Sequence, residues 1–160
     1  MAYELAAPVM NDRGEYIWTK EKTASKNQIM AIKETKATQG QSSLAACLDI
    51  ILTYNGIVSD AQSLLDAGKT PMEILSENLT DQEVVDMTGC NMQAMLFYVN
   101  RDIPVLAMLD SGDAVLITGF NEQNVVICDP KTGFLGKKGM NDSTKYFEEN
   151  GNCFFTYVRR

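Results

Sequence analysis

Side chains that could act as nucleophiles are present in this chain, but the base that usually activates them is missing. Cysteines stand at Cys47, Cys90, Cys128 and Cys153, and histidine is absent from all 160 residues. Serine and cysteine nucleophiles of the common kind pass their proton to an imidazole, which titrates near neutral pH. Without it a serine hydroxyl stays protonated and a cysteine remains mostly thiol. Two histidine-free solutions, a Ser-x-x-Lys pair and an N-terminal threonine, are not read here, since no Ser-x-x-Lys occurs and the chain starts with Met1. The same absence excludes histidine zinc sites, and the cysteines are too scattered for a Cys-x-x-Cys knuckle. No metal and no cofactor is therefore expected.

Other residue patterns have plainer readings. Cys90 stands near an expected helix start, where a thiolate is favoured, but a lone cysteine there is more often structural. The stretch 133–139, Gly-Phe-Leu-Gly-Lys-Lys-Gly, lacks the spacing of a phosphate loop and reads as a hairpin. Lys131, Lys137 and Lys138 read as a small solvated basic spot. The methionines, Met92 and Met95 among them, read as core filling at helical spacing. Three of the cysteines lie in apolar stretches, so buried free thiols are expected rather than disulfides.

The elements that must position such groups follow from periodicity. Residues 42–55 read as a buried helix capped by Ser42 or Ser43. Leu44, Cys47, Leu48, Ile51 and Leu52 fall on one face, and Asn55-Gly56 ends it. Further helices are expected over 59–67 with Ser59 as cap, over 71–78 with proline in the first turn, and over 89–100. The period then shortens. Strands are expected over 104–109, 114–120 and 125–128, with a hairpin turn at 121–124 and another turn at 129–133. A short helix over 143–149 and a strand over 153–158 close the chain. Before all of this, residues 1–36 read as an N-terminal arm, with a turn at 11–14 and strand candidates at 15–18 and 28–32. Trp18 is expected to pack the arm onto the body. Helices first and antiparallel strands second make an α+β domain over 37–160.

Charge and length set the outer bounds. Residues 1–40 carry 6 basic and 5 acidic side chains, whereas residues 41–160 carry 8 and 16. So acidic a body repels phosphate backbones, and no nucleic-acid partner is expected. No apolar run is long enough to span a membrane. The first residues lack the basic start of a signal peptide, which leaves a cytoplasmic protein or a domain of a longer bacterial surface or secreted protein.

Residues 43–56, Ser-Leu-Ala-Ala-Cys-Leu-Asp-Ile-Ile-Leu-Thr-Tyr-Asn-Gly, resemble the nucleophile helix of the papain-like, double-glycine bacteriocin-processing peptidases. That helix reads C-G-x-A-C-L-x-M-x-L-x-Y-Y-G. Residues 112–120, Gly-Asp-Ala-Val-Leu-Ile-Thr-Gly-Phe, resemble the family's G-H-x-V-V-V-x-G-Y strand, and Asp129-Pro130 resembles its Asp-Pro. The resemblance covers roughly residues 40–158 and implies a papain-like cysteine peptidase fold. It places Ser43 at the nucleophile position, Asp113 at the histidine position and Asp129 at the third triad position. It also implies that the catalytic set is degenerate, with Leu44 for the glycine after the nucleophile and Ala37 for the oxyanion-hole glutamine. In a rival register Gln41 and Cys47 supply the glutamine and the nucleophile at their spacing of six, still without a histidine.

If Ser43, Asp113 and Asp129 meet, two carboxylates share one site, and one pKa is expected to rise unless a cation relieves the repulsion. Three functions follow. The leading one is a non-catalytic module that holds an extended peptide or protein segment, as inactive relatives on bacterial export transporters are believed to do; the acidic body favours basic or neutral segments. The others are a structural module of a larger bacterial protein and a hydrolase of altered chemistry.

Overall fold

The computed structural model describes residues 3–10, 16–23 and 28–159, with side chains from residue 30 onward. The expected turn at 11–14 and the packing of Trp18 lie outside the described residues. Strands β1 (Tyr3–Met10) and β2 (Tyr16–Thr23) pair antiparallel as a separate two-stranded sheet. Strand β3 (Gln28–Ile29) instead joins the main sheet, against Gly119 and Phe120. The chain leaving it sends Met30 and Ile32 into the hydrophobic core.

Helix α1 (Ser43–Tyr54) forms where the apolar periodicity predicts it. Ser42 caps it by accepting the Ala45 N–H, and Leu48, Ile51 and Leu52 are fully buried. Burying each such side chain contributes about 1.5–3 kcal/mol. The helix stops at Gly56, whose φ of 79° suits glycine, and the Ile57 N–H returns to the Leu52 carbonyl. Helices α2 (Ala61–Asp66) and α3 (Pro71–Asn78) follow and pack on α1. Asp60 caps α2 in place of the expected Ser59, and Thr70 with Glu73 makes a capping box on α3.

Strands β4 (Gln82–Asp86), β5 (Val105–Met108), β6 (Ala114–Phe120), β7 (Asn124–Asp129), β8 (Phe134–Gly139) and β9 (Cys153–Arg159) form the antiparallel sheet, in the order β4-β9-β5-β6-β7-β8. Helix α4 (Met92–Val99) and helix α5 (Met140–Glu149) pack on it. Strand β6 is buried along its whole length and lies beneath α1. The turn at 121–124 forms as expected, with the Asn121 side chain accepting the N–H groups of Gln123 and Asn124. The predicted α+β order holds, with α1–α3 ahead of the sheet strands β5–β9.

Several boundaries differ from the sequence expectation. Residues 134–139 form a strand, held in register by β7 despite the low strand propensity of glycine and lysine. Strand β4 was not expected, because five half-exposed residues on a sheet edge carry no clean alternation. Helix α4 begins at Met92 with Asn91 as cap, so Cys90 lies before the cap and outside the first turn. Helix α5 begins at Met140, three residues earlier than expected.

Candidate functional site

The N-terminus of α1 faces the start of β6, and the fold brings Ser43 to Asp113 across that junction. The Ser43 hydroxyl donates to Asp113 Oδ1 at 3.1 Å and accepts the Ala114 N–H at 3.0 Å. Ser43 is only 5% exposed; its bond to the Ala114 N–H is buried and its bond to Asp113 partly buried. Ser111 donates its hydroxyl to Asp113 Oδ2 at 3.1 Å.

Asp129 enters this cluster indirectly. Its carboxylate accepts the Lys131 N–H at 3.0 Å and so shapes the turn after β7, which closes with the Gly133 N–H on the Asp129 carbonyl. That turn aims the Lys131 ammonium at Asp113 Oδ2, 2.8 Å away. Ser43 and Asp113 therefore meet as expected, while Asp129 reaches them through Lys131.

The rise expected if two carboxylates shared the site is not what Asp113 shows, since its carboxyl is lowered. Lys131, read from sequence as part of a solvated basic spot, is exposed as expected and also supplies the cation. Its ammonium holds the Asp113 carboxyl below the usual range, with the hydroxyls of Ser43 and Ser111 adding to the effect against the cost of burial. Lys131 is pushed up in turn by its bond to Asp113. An aspartate held this low is a weak base, and a serine hydroxyl that donates to it gains little nucleophilicity. Lys138 is not simply solvated either, since its ammonium lies 4.5 Å from the centre of the Tyr146 ring.

The rival pair, Gln41 and Cys47, is not brought together as a site. Cys47 is fully buried on the core face of α1. Burial pushes its thiol well above the ordinary value, and the neighbouring Cys128 and Asp129 push it further. Gln41 is turned to other work: its Oε1 accepts the N–H and the hydroxyl of Thr38, and its Nε2 donates to Asp49 Oδ2 at 3.0 Å. Asp49 also accepts the Ser59 hydroxyl at 2.6 Å and the Ala61 N–H at 3.0 Å, which ties α2 to α1. Ala37 carries no donor side chain, and its N–H binds the Pro130 carbonyl at 2.8 Å. All four cysteines are free thiols, Cys47 and Cys128 buried and Cys90 and Cys153 half-buried. Among the described residues no cluster of candidate metal ligands occurs, and no helix is long and apolar enough to cross a membrane.

A sizeable cavity lies beside this cluster, not in it. It is a groove of about 720 Å³ between residues 31–35 and the face of α1 that carries Ala46, Ile50, Thr53 and Tyr54. Ala46 is one turn along the helix from Ser43, so the groove starts next to the closed serine. Neither the groove nor Lys131 was found from sequence. The only signal for Lys131 was its place two residues after the aspartate of an Asp-Pro turn.

No protein-family model matches the chain, and no curated protein does. Among solved structures, a candidate C39-like peptidase from Bacillus anthracis is similar, with a TM-score of 0.66 at 14% identity over 82% of this chain and 98% of the other. At that identity the likeness speaks to architecture alone. Helix α1 packed over an antiparallel sheet, with its N-terminus against the start of β6, is thus an α+β fold of the papain-like, C39 peptidase kind.

Proposed function

We propose that this chain is a non-catalytic C39-like domain that holds an extended peptide or protein segment. The observation that carries the first half is the state of Ser43. Its hydroxyl is buried and engaged on both sides, by Asp113 and by the Ala114 N–H. The partner carboxylate is held in its ionised form by Lys131 and is a weak base. The other nucleophile, Cys47, is buried with its thiol pushed up. With no histidine in the sequence, neither residue has an activating imidazole. The second half is supported by the open groove beside α1, whose volume falls within the ~300–1,000 Å³ typical of ligand sites.

A structural module with a vestigial cleft is the second reading, favoured by the closure of the Ser43 position. One experiment separates the readings. The protein is incubated with a diverse peptide library at neutral pH, and bound and unbound fractions are compared by mass spectrometry. Retained, intact peptides sharing a pattern support the binding module. New cleavage products that vanish in Ser43→Ala or Cys47→Ala would make the chain a hydrolase. An unretained and uncleaved library leaves the structural module.

A further inference from the structure

The main sheet ends in two edges, β4 on one side and β8 on the other, and among the described residues no strand lies beyond either. Every neighbouring pair in the order β4-β9-β5-β6-β7-β8 is antiparallel, so β8 runs opposite to β4. One row of partners crosses the whole sheet, from Asp86 through Phe155, Leu106, Leu116 and Cys128 to Leu135. Directly opposed residues share a face, so Asp86 and Leu135 lie on one face at the two ends. The outer main-chain groups are in phase as well. The Met87 N–H binds the Phe154 carbonyl and the Gly89 N–H binds the Asn152 carbonyl. By the alternation of the ladder Glu83 and Val85 also turn toward β9, while Val84 and Asp86 turn outward. At the other edge the Met140 N–H binds the Gln123 carbonyl, which leaves Leu135 and Lys137 turned outward. A second copy with its β8 beside β4 therefore continues polarity, face and hydrogen-bond phase together. In that register Leu135 stands opposite Asp86 and Lys137 opposite Val84.

Charge selects this pairing over the others. Lysines on a sheet edge ordinarily guard it against pairing. Here β8 carries Lys137 and Lys138, whereas β4 carries Glu83 and Asp86. Two β4 edges, or two β8 edges, would set like charges together, and only β4 against β8 joins opposite ones. In the register above Glu83 faces Lys138, and Lys137 lies diagonal to Asp86. Glu83, Asp86 and Lys137 have no ion-pair partner among the described residues, and Lys138 leans on the Tyr146 ring. The other charges do not cancel the match. Arg159, the β9 partner of Gln82, and Asp142, beside Gly139, are opposite in sign and fall at the same end, while Asp81 lies outside the paired stretch. An apolar contact fits the same register. Phe134 is 54% exposed with its ring over Gly136, and half-buried Val85 would stand opposite that glycine.

We propose that this chain associates with itself head to tail, the β4 edge of one copy pairing antiparallel with the β8 edge of the next, Glu83 against Lys138. Each addition leaves a free β4 at one end and a free β8 at the other, so the assembly grows as an open row instead of closing as a two-fold dimer. It is independent of the peptide-holding reading, since neither edge borders the groove beside α1.

The test is sedimentation velocity of the whole chain from about 10 μM to 1 mM, a range that covers weak association. The weight-average sedimentation coefficient should rise with concentration and pass the value of a dimer. Glu83→Lys and Lys138→Glu each set like charges together. Each should weaken association about tenfold, one exposed attraction being lost and a repulsion of similar size gained. The double variant Glu83→Lys with Lys138→Glu restores an opposite pair and should recover association, which a folding defect in either single variant would not allow. Phe134→Ser should weaken association, and Val58→Ser, the other exposed large apolar side chain and on neither edge, should leave it unchanged. Circular dichroism confirms that each variant is folded. A coefficient that stays at the monomer value overturns the proposal. Growth that stops at a dimer marks a two-fold interface and overturns the head-to-tail arrangement. Single variants that associate like the parent overturn the two edges, and a double variant as weak as the singles overturns the pairing of Glu83 with Lys138.

Discussion

Ser43→Ala tests most directly what the former nucleophile position now does. The hydroxyl ties the helical half to the sheet, through Asp113 and through the Ala114 N–H. Deleting it leaves two unequal losses. The Asp113 side chain is 29% exposed and keeps Lys131 and Ser111, so water can replace the lost donor at little cost. Ala114 is fully buried, and its N–H is left unpaired. An unsatisfied buried donor costs about 1–3 kcal/mol. Alanine recovers a few tenths of a kcal/mol through its better helix propensity. The expected net loss is about 1–2 kcal/mol, or roughly 2–8 °C in Tm for a chain of this size. Urea unfolding with an unchanged m-value is the assay. A loss under about 0.5 kcal/mol would refute the structural role of the hydroxyl. A loss of peptide hydrolysis in the variant would refute the reasoning altogether.

Lys131→Met should destabilise the protein only slightly, because the pair is largely open to solvent. The loss should be confined to a pH window. Asp113 lies below its ordinary 3.8 in the folded state, so its contribution is present above that value and fades as pH falls through the lower folded value. Lys131 lies above its ordinary 10.5, so its contribution is present below that value and fades as pH rises through the higher folded one. The variant and the parent should therefore differ by a constant amount from about pH 5 to 9 and converge outside it; a difference that changes across pH 5 to 9 contradicts the pairing. Thiol alkylation at neutral pH should modify Cys90 and Cys153 before Cys47 and Cys128, and rapid loss of Cys47 in the folded protein would put it outside the core. Asp49→Ala removes the acceptor shared by Gln41, Ser59 and Ala61 and should cost about 2 kcal/mol or more, with faster amide exchange in α2; unchanged exchange would show that α2 is held by packing alone.

Much of the architecture was legible from local pattern. The stripe of Leu48, Ile51 and Leu52, the Ser42 cap and the Asn55-Gly56 stop define α1 without reference to any other element. The apolar runs of β5, β6 and β7 and the side-chain turn at Asn121 are equally local. Strand β4 was not legible, because only Val84 and Val85 of its five residues favour a strand and its pairing with β9 is distant in the chain. Strand β8 was legible only as part of a hairpin, and its pairing with β7 overrides its glycines and lysines.

The same division runs through the site. The sequence by itself determined that these 160 residues supply no imidazole to any nucleophile, because composition alone settles it. The resemblance of residues 43–56 and 112–120 to the double-glycine peptidase motifs also implied that Ser43 stands opposite Asp113. Only the tertiary structure decided what surrounds them: the turn at Asp129 carries Lys131 to Asp113, burial takes Cys47 out of reach, and residues 31–35 leave a groove beside α1. Each of these depends on where a side chain finishes after distant segments pack. Partner, exposure and pKa are properties of that packing, and periodicity along a chain does not contain them.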